Sequence, residues 1–218
     1  LRILGDGDPG IAHGIWINGV SAGNGISADR KSSHIEIARV EVGHVGMSGI
    51  MMKTDPSCDD LSAVRDSFTM REIRVRDCYI HHTVNEGIYV GSSFYTGFPL
   101  NCQGQDTLVM PHEVIGVEIS NNFLFRTGRN SVQISSAVDD CLIYGNTILE
   151  DSQLGINFHM NGIQVGGGSR CAVYNNRIID GKGGGIHYLG RGPGRIFNNL
   201  IVRPGRTHHP ELPANQYP

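Results

Sequence analysis

The sequence predicts an all-β protein built as a parallel β-solenoid, in which strands from successive coils stack into shared sheets. Three observations support this prediction: the choice of apolar residues, the abundance of glycine and an internal repeat. The 218 residues include 23 Ile and 16 Val but only 12 Leu and 8 Ala, which favours strand over helix. Glycine accounts for 30 residues, about 14% against a usual ~7%, which is typical of a chain with many tight turns.

The internal repeat has one template, shared by five segments and a shorter sixth. The segments are 35–52, 73–90, 117–134, 141–158 and 171–188, with the partial copy at 195–202. Aligned without gaps, they place Val40, Cys78, Asn122, Asn146, Asn176 and Asn199 in one column. Nine residues later a second column contains Gly49, Gly87, Ser131, Gly155 and Gly185, each followed by an apolar–any–apolar triplet. Gly14-Ile15-Trp16-Ile17 fits the template as an earlier member.

Stacking explains why such columns exist. One coil cannot bury its apolar side alone, so neighbouring coils stack ~4.8 Å apart and share a continuous core. Asn side chains stacked at a turn can hydrogen-bond to one another and to the turn backbone. An up-and-down barrel has no need of equivalent turns with Asn over Asn, so the column favours the solenoid.

The pattern x-I-x-I-x-x-N-x-I followed by G-I-x-I resembles the right-handed parallel β-helix repeat of the pectate-lyase-like superfamily, over about 10–204. The resemblance implies a single-stranded right-handed parallel β-helix of about six or seven coils with an Asn ladder. It also implies that the ladder lies between the second and third sheets, and that the Gly-Ile-x-Ile strands form the first sheet, whose outer face usually forms a saccharide groove. Because this fold carries lyases, hydrolases, epimerases, tailspikes and surface proteins, it does not by itself imply an activity.

Two insertions leave the solenoid at one corner, after the first-sheet strands. Successive positions of the Asn column lie 38, 44, 24, 30 and 23 residues apart, so the first two coils carry extra residues, at about 53–70 and 91–113. The β-helix then spans 1–205, and 206–218 forms a Pro-rich tail or cap. Loops that project together from a rigid scaffold often bind ligands, and neutral surface decoration is an equal alternative.

The five cysteines favour an oxidising compartment. Cys58 and Cys102 lie one in each insertion on neighbouring coils, which predicts a disulfide between them. Cys141 and Cys171 occupy one core-facing column, where a reduced stack is the favoured state, and Cys78 is expected to be buried and inert. We therefore expect an extracellular, cell-surface or periplasmic location.

The composition indicates neither a nucleic-acid partner nor a membrane-spanning helix. Only 18% of the residues are charged and the formal net charge is -3, so nothing indicates a nucleic-acid partner. No run approaches ~18 apolar residues, so no membrane-spanning helix is expected.

Outward residues of the first sheet suggest a saccharide surface, with a solvated polar face as the alternative. Their column is Trp16, Met51, Tyr89, Gln133, Asn157 and His187, flanked by Lys53, Ser135 and His159. The preceding turns contribute His44, His82, Arg126, Glu150 and Asp180, with Asn85, Arg129 and Lys182 nearby. Rings stack on sugars, and Arg binds carboxylate or sulfate in bidentate fashion. The proposed substrate-binding residues are Tyr89, Arg126, Arg129, Gln133, Asn157 and His187.

Catalysis has only weak candidates. β-Elimination on a uronic acid needs a base and a group that neutralises the carboxylate, which His82, Arg126, His159 and Lys182 could supply. The Asn-Lys-Ser and Arg-His-Gly segments of alginate and chondroitin lyases correspond here to Ile134-Ser135-Ser136 and His159-Met160-Asn161-Gly162, so their mechanism does not transfer. Whether the protein is an enzyme stays open, and a lyase is favoured over a glycoside hydrolase.

Metal use is also open. No motif requires a cofactor, but Asp6-Gly7-Asp8 and the group Asp55, Asp59 and Asp60 offer oxygen ligands for Ca²⁺, with turn capping as the commoner role. His81 and His82 are adjacent in a strand, so they are expected on opposite faces and predict no metal site.

The sequence thus leads to two hypotheses. In the first, the protein is a secreted or cell-surface carbohydrate-active β-helix that binds an acidic polysaccharide, and whether it also cleaves the polymer by β-elimination is left open. In the second, it is a non-catalytic structural or adhesive module with the β-helix as a rigid scaffold. The polymer and the oligomeric state are left open.

Overall fold

The structure is a computed structural model that describes residues 1–7 and 13–205. Asp8 of the proposed calcium motif and the tail 206–218 lie outside the described residues. The regular structure consists of 22 strands, and the described residues contain no helix. The all-β prediction is therefore confirmed.

The chain repeats a coil of three strands. The first coil contains β1 (Arg2–Leu4), β2 (Ile15–Asn18) and β3 (Ile26–Ala28), and the second contains β4 (Ile35–Ala38), β5 (Val40–Val45) and β6 (Ile50–Met52). The third contains β7 (Thr69–Arg76), β8 (Tyr79–Thr83) and β9 (Ile88–Val90), and is followed by a hairpin of β10 (Phe98–Cys102) and β11 (Gln105–Val109). The fourth contains β12 (Glu113–Ser120), β13 (Phe123–Phe125) and β14 (Val132–Ile134). The fifth contains β15 (Ala137–Tyr144), β16 (Thr147–Leu149) and β17 (Asn161–Val165). The sixth contains β18 (Cys171–Tyr174), β19 (Arg177–Ile179) and β20 (Gly184–Tyr188), and β21 (Arg195–Phe197) and β22 (Leu200–Val202) follow.

Equivalent strands of successive coils form three parallel sheets. Sheet A has the order β1-β4-β7-β12-β15-β18-β21, and sheet B has the order β2-β5-β8-β13-β16-β19-β22. Sheet C has six strands, in the order β3-β6-β9-β14-β17-β20, and corresponds to the predicted first sheet. Within these three sheets each strand thus pairs with the equivalent strand of a neighbouring coil, an arrangement consistent with a β-helix.

The core lies between the three sheets and is filled by their inward-facing side chains. Alternation along each strand supplies them: in β4, for example, Ile35 and Ile37 are buried while Glu36 faces outward. Stacking the same position from coil to coil gives a continuous apolar column, as with Val42, Ile80 and Leu124 in sheet B. This continuous burial holds the coils in register.

The Asn ladder lies in the turn between sheets A and B. The Nδ2 groups of Asn122, Asn146 and Asn176 donate to the Oδ1 atoms of the next member at 3.0, 2.9 and 2.9 Å, and the ladder ends at Asn199. Cys78 lacks the amide, but its backbone N–H donates to Asn122 Oδ1 at 3.0 Å. Buried polar groups of the bend are thus satisfied by one column of side chains.

Two predicted strand positions are wrong. The fifth coil contributes β17 to sheet C, with Ile163 paired to Val132, whereas Ile156 lies in an exposed turn. Ile163 is fully buried and Ile156 is 38% exposed, so burial of the apolar side chain selects the later segment. Trp16 lies in β2 of sheet B, opposite Glu41, because the apolar–any–apolar triplet is common to all three sheets.

The insertions emerge between β6 and β7 and between β9 and β12, and they contact each other. Cys58 and Cys102 form a disulfide with a Cα–Cα distance of 5.6 Å. Arg65 of the first insertion donates from Nη2 to Tyr95 O of the second at 2.6 Å.

The core-facing cysteine pair is also bonded, whereas the sequence favours a reduced stack. Cys141 and Cys171 are direct partners on β15 and β18, which brings their Cα atoms to 4.4 Å. This register places the two sulfurs within bonding distance. Cys78 is the free cysteine of the described chain, and burial raises its pKa to about 11.

Candidate functional site on the outer face of sheet C

The outward side chains of sheet C form the surface that the sequence assigns to a ligand. In register, they are Ser27, Met51, Tyr89, Gln133, Gln164 and His187. Tyr89, Gln133 and His187 occupy the predicted column. Asn157 does not, because β17 begins after it and Gln164 takes its place.

Amide side chains form the floor of this face, and they bond to one another. Asn130 Nδ2 donates to Gln133 Oε1 at 2.7 Å, and Asn161 Nδ2 donates to Gln164 Oε1 at 3.2 Å. Gln133 Nε2 donates to Ser93 Oγ of the second insertion at 2.8 Å, and Gln133 is only 1% exposed. Gln133 therefore orders the floor rather than meeting a ligand directly.

A buried carboxylate, Glu86, lies beside this floor, two residues before β9. Its side chain is 3% exposed, and Ser48 Oγ donates to its Oε2 at 3.0 Å. Its Oε1 lies 3.8 Å from Arg129 Nη1 and 3.7 Å from His159 Nδ1. A buried charge is costly unless it is paired, so the guanidinium of Arg129 compensates Glu86, and the His159 ring lies beside it.

Arg129 and His159 are nevertheless loosely held. Both contacts with Glu86 are longer than a hydrogen bond, and the two side chains stay 32% and 34% exposed. Arg129 Nε and His159 Nδ1 have no hydrogen-bond partner among the described residues. These two atoms are themselves buried, so a ligand would meet the exposed remainder of each side chain.

Tyr89 lies in the middle of the outward column, with neighbours from both insertions. Its hydroxyl bonds to Ser93 Oγ at 2.7 Å, and Lys53 Nζ lies 5.1 Å from the ring centroid. Lys53 in turn donates to Asp55 Oδ2 at 2.6 Å. A sugar could stack on this ring once Lys53 moves aside.

Arg126 lies apart from this group, in the turn between sheets B and C. Its Nε donates to Glu150 Oε2 at 2.7 Å, and its guanidinium lies 5.1 Å from the ring centroid of Phe125. Phe125 belongs to β13 of sheet B. Arg126 is therefore bound within the turn, and it does not join Arg129 at Glu86.

His82 lies beside the same turn, near the end of β8, together with His81 of the same strand and His44 of β5. The Nδ1 atoms of His81 and His82 are 2.9 Å apart, so the prediction of opposite faces is wrong. The reason is the left-handed backbone at His82, with φ 49°, which breaks the alternation of the strand. Burial lowers the pKa of His82, and the nearby His44, His81 and Arg126 lower it further, while Glu150 opposes them.

The remaining predicted residues lie at the fifth and sixth coils. Lys182 Nζ donates to Gln153 O at 2.8 Å and is half-buried. Asn157 is exposed in the turn before β17. The structure thus brings Arg129 and His159 together at Glu86, and His82 and Arg126 together in the turn between sheets B and C.

Glu86 itself was not predicted as a site residue. It belongs to a second polar column, two residues before the sheet C triplets of the first five coils: Asn24, Ser48, Glu86, Asn130 and Asn161. The sixth coil has Gly184 at this position. Asn161 N donates to Asn130 Oδ1 at 2.9 Å, as in the first ladder. The signal in the sequence is a carboxylate in a column otherwise made of amides and a hydroxyl.

Two of the aspartates proposed for calcium, Asp55 and Asp60, bond to protein groups. Asp55 accepts from Lys53, and Asp60 Oδ1 accepts from Ser62 N at 2.8 Å and from the Ser62 hydroxyl. The bonds from Ser62 hold the pKa of Asp60 below its usual value. These contacts are those of turn-capping residues.

Comparisons with protein-family models, with curated proteins and with solved structures found no match to this chain. No helix with the length and apolar character needed to cross a membrane occurs in the described part of the chain.

Proposed function

We propose that this protein is a right-handed β-helix of the pectate-lyase-like kind that binds an acidic polysaccharide along the outer face of sheet C. Parallel crossover connections are right-handed in ~98% of cases, and the Asn ladder agrees with this family. The observation that carries the ligand assignment is the meeting of Arg129 and His159 at the buried Glu86.

The outer face of sheet A is a poorer candidate for binding an acidic ligand. Its outward charges are already paired, since Glu36 accepts from Arg2 at 2.9 Å and from Arg76 at 2.7 Å. Arg74 Nε lies 3.6 Å from Glu118 Oε2. An acidic polymer would have to displace these partners, whereas the ion pair of Arg129 within the described residues is the 3.8 Å contact with Glu86.

Arg129 and His159, which lie beside Glu86, carry the N–H donors that could recognise an acid group. A guanidinium presents five N–H donors, and Glu86 reaches one of its terminal nitrogens only at 3.8 Å. A uronate carboxylate or a sulfate could accept from the rest of this fork, with His159 as a second donor. Glu86 keeps both groups positioned when no ligand is bound.

The repeat of the fold suits a polymer. Coils stack ~4.8 Å apart, close to the advance of one sugar in an extended chain, so successive sugars could meet successive coils. Arg129 of the fourth coil would hold an acid group while Tyr89 of the third coil contacts the neighbouring ring. The ligand would then run across the strands of sheet C.

If the bound polymer is cleaved, elimination is the reaction that this group could perform. His159 would take the proton from the carbon next to the uronate carboxylate, and Arg129 would stabilise the charge on that carboxylate. The electron pair left behind forms a carbon–carbon double bond, the glycosidic C–O bond breaks, and the departing oxygen takes a proton from water. His159 and Arg129 take the roles that the sequence assigned to His82, Arg126 and Lys182, because the proposed base then lies beside the proposed neutralising group.

The two disulfides support an extracellular, cell-surface or periplasmic location. Cys58–Cys102 ties together the insertions, and Cys141–Cys171 lies in the core. Such bonds persist in oxidising compartments and are rare in reducing ones.

The test is a binding series on alginate, pectin, chondroitin sulfate and heparin, by calorimetry, with two matched variants. We expect Arg129→Gln to weaken binding of the preferred polymer by about tenfold or more, since a hydrogen bond to a charged group contributes ~1.5–3 kcal/mol. Arg126→Gln is the control, three residues away, because Glu150 already occupies its guanidinium. Equal affinity of Arg129→Gln and the parent, or no binding to any acidic polymer, would contradict the proposal.

Ultraviolet absorbance of the unsaturated uronide separates cleavage from binding. A lyase produces a rising trace that His159→Gln abolishes. Binding with flat traces on every polymer supports the non-catalytic module instead.

A further inference from the structure

Three histidines meet at the turn between sheets B and C, and the proposed function does not use them. His44, His81 and His82 each offer one ring nitrogen, and these atoms all lie within 4.8 Å of one another. The rings of His44 and His82 stack with centroids 4.7 Å apart, and His44 meets His81 edge-on at 5.3 Å. We call these three residues the histidine cluster.

The backbone builds this cluster from two neighbouring coils. His44 and His82 occupy equivalent turn positions, with left-handed φ of 50° and 49°. His81 pairs with Gly43 on the adjacent strand, and its ring lies directly over that glycine. A Cβ at Gly43 would be 2.2 Å from His81 Cε1, so only glycine leaves room for the ring there.

A carboxylate orients the most buried member. His81 Nε2 lies 3.3 Å from Glu41 Oε1, so the ring donates its Nε2–H to Glu41. The proton then sits on Nε2, and Nδ1 of His81 carries a lone pair directed at His82. Histidines that bind metals commonly donate their other ring N–H to a carboxylate in this way.

We propose that the histidine cluster binds one divalent transition-metal ion, with His81 and His82 coordinating through Nδ1, His44 as the third ligand and a fourth position open. Imidazole nitrogen suits Zn²⁺, Cu²⁺ and Ni²⁺, and three histidines with an open position form a known zinc geometry.

The distances allow this with a small movement. Around a tetrahedral Zn²⁺ with Zn–N of ~2.0–2.1 Å, the ligand nitrogens lie about 3.4 Å apart. The Nδ1 atoms of His81 and His82 are at 2.9 Å, near that spacing. His44 is exposed, so its ring can turn to close the remaining gap.

Carboxylates balance the positive charge near the histidine cluster. Glu41 contributes a negative charge beside His81. Arg126 acts against a positive charge on His82, and Glu150, 2.7 Å from Arg126 Nε, acts in the opposite direction.

The test is calorimetric titration with Zn²⁺ of the full chain carrying His208→Gln and His209→Gln, which removes the histidine pair of the tail. We expect one ion per chain. His82→Asn, a residue that tolerates left-handed backbone, should weaken binding by at least ~100-fold, and Glu41→Gln by ~10–100-fold. The control is His34→Asn, because His34 is also left-handed, with φ 55°, and lies 3.1 Å from Glu72.

Circular dichroism and the thermal midpoint confirm that each variant is folded. Binding of Co²⁺ should in addition give the intense visible absorbance of a four-coordinate ion, lost in His82→Asn and kept in His34→Asn. Absence of Zn²⁺ binding in the parent, or equal binding by folded His82→Asn, would overturn the proposal. Loss of glycan binding in Arg129→Gln would not affect it, since Arg129 is not part of the cluster.

Discussion

Replacing Asp151 by Asn should remove a large pH-dependent term from the free energy of unfolding. Asp151 is buried in the turn that precedes β17. Ser152 Oγ donates to its Oδ1 at 2.6 Å, but Oδ2 has no hydrogen-bond partner among the described residues. Gly181 packs against this carboxyl group so closely that a Cβ there would lie 2.2 Å from Oδ2. Burial therefore raises the pKa of Asp151 to about 6.

The magnitude follows from the two pKa values. The pKa of Asp151 is 3.8 in the unfolded chain and about 6 in the folded chain, so folding raises it by about 2 pH units. At ~1.36 kcal/mol per unit, this amounts to about 3 kcal/mol. Because the folded state binds the proton more tightly, this stability is fully present below about pH 4 and is lost as the pH rises through about 6.

Urea unfolding of the parent and of Asp151→Asn, at about pH 4 and about pH 7, measures this term. Other carboxylates also titrate: Arg76 lowers the pKa of Glu36, for example, which gives the opposite trend. They are common to both proteins, so their contribution cancels in the difference. We expect the parent to lose about 2 kcal/mol more than the variant between the two pH values, because about a fifth of the term is already lost at pH 4.

The control is Asp139→Asn, which removes one negative charge from an exposed position. This variant should follow the parent. If the parent and Asp151→Asn lose the same stability between the two pH values, burial does not hold the proton on Asp151 and the reasoning is refuted.

Two further predictions concern the ladder and the cysteines. Asn146→Ala should cost about 2–4 kcal/mol in urea unfolding, because it leaves buried ladder partners unpaired, whereas Asn199→Ala at the half-buried end should cost less than half as much; equal losses would contradict the ladder's role. Thiol titration should count one free thiol, Cys78, reactive only after unfolding, and non-reducing peptide mapping should recover Cys58 linked to Cys102. Two or more reactive thiols in the native protein would contradict the assigned disulfides.

Much of the fold could be predicted because the sequence contains a strict repeat. Each strand of sheet A precedes its ladder position by a constant distance, so Asn122, Asn146 and Asn176 align without gaps. A column of Asn also indicates a turn, since its amides satisfy polar backbone groups that the turn buries.

The fifth coil shows where this approach fails. Gly155 and Gly162 are each followed by an apolar–any–apolar triplet, and the alternation alone does not distinguish them. The choice depends on the length of the preceding turn, and on Asn161, whose N–H bonds to Asn130 one coil away. Turn length varies without changing strand pattern, so the sequence predicts Asn157 on a sheet that it does not reach.

The group at Glu86 and the histidine cluster could not be predicted from the repeat pattern, for a related reason. Glu86 meets Arg129 and His159 across three coils, and these contacts depend on turns of different length. His81 and His82 come together because one residue adopts left-handed backbone, a conformation that non-glycine residues seldom adopt. Alternation rules place side chains on strands but not in such turns.

The most direct test of the proposed ligand surface is hydroxyl-radical footprinting of the protein with and without a saturating acidic oligosaccharide. Tyr89 and His159 report on the outer face of sheet C, and Trp16, which is 66% exposed, and Phe123 report on sheet B. We expect the ligand to lower the oxidation of Tyr89 and His159 and to leave Trp16 and Phe123 unchanged. Protection of Trp16 and Phe123 with unchanged Tyr89 and His159 would contradict the proposal and place the ligand on sheet B.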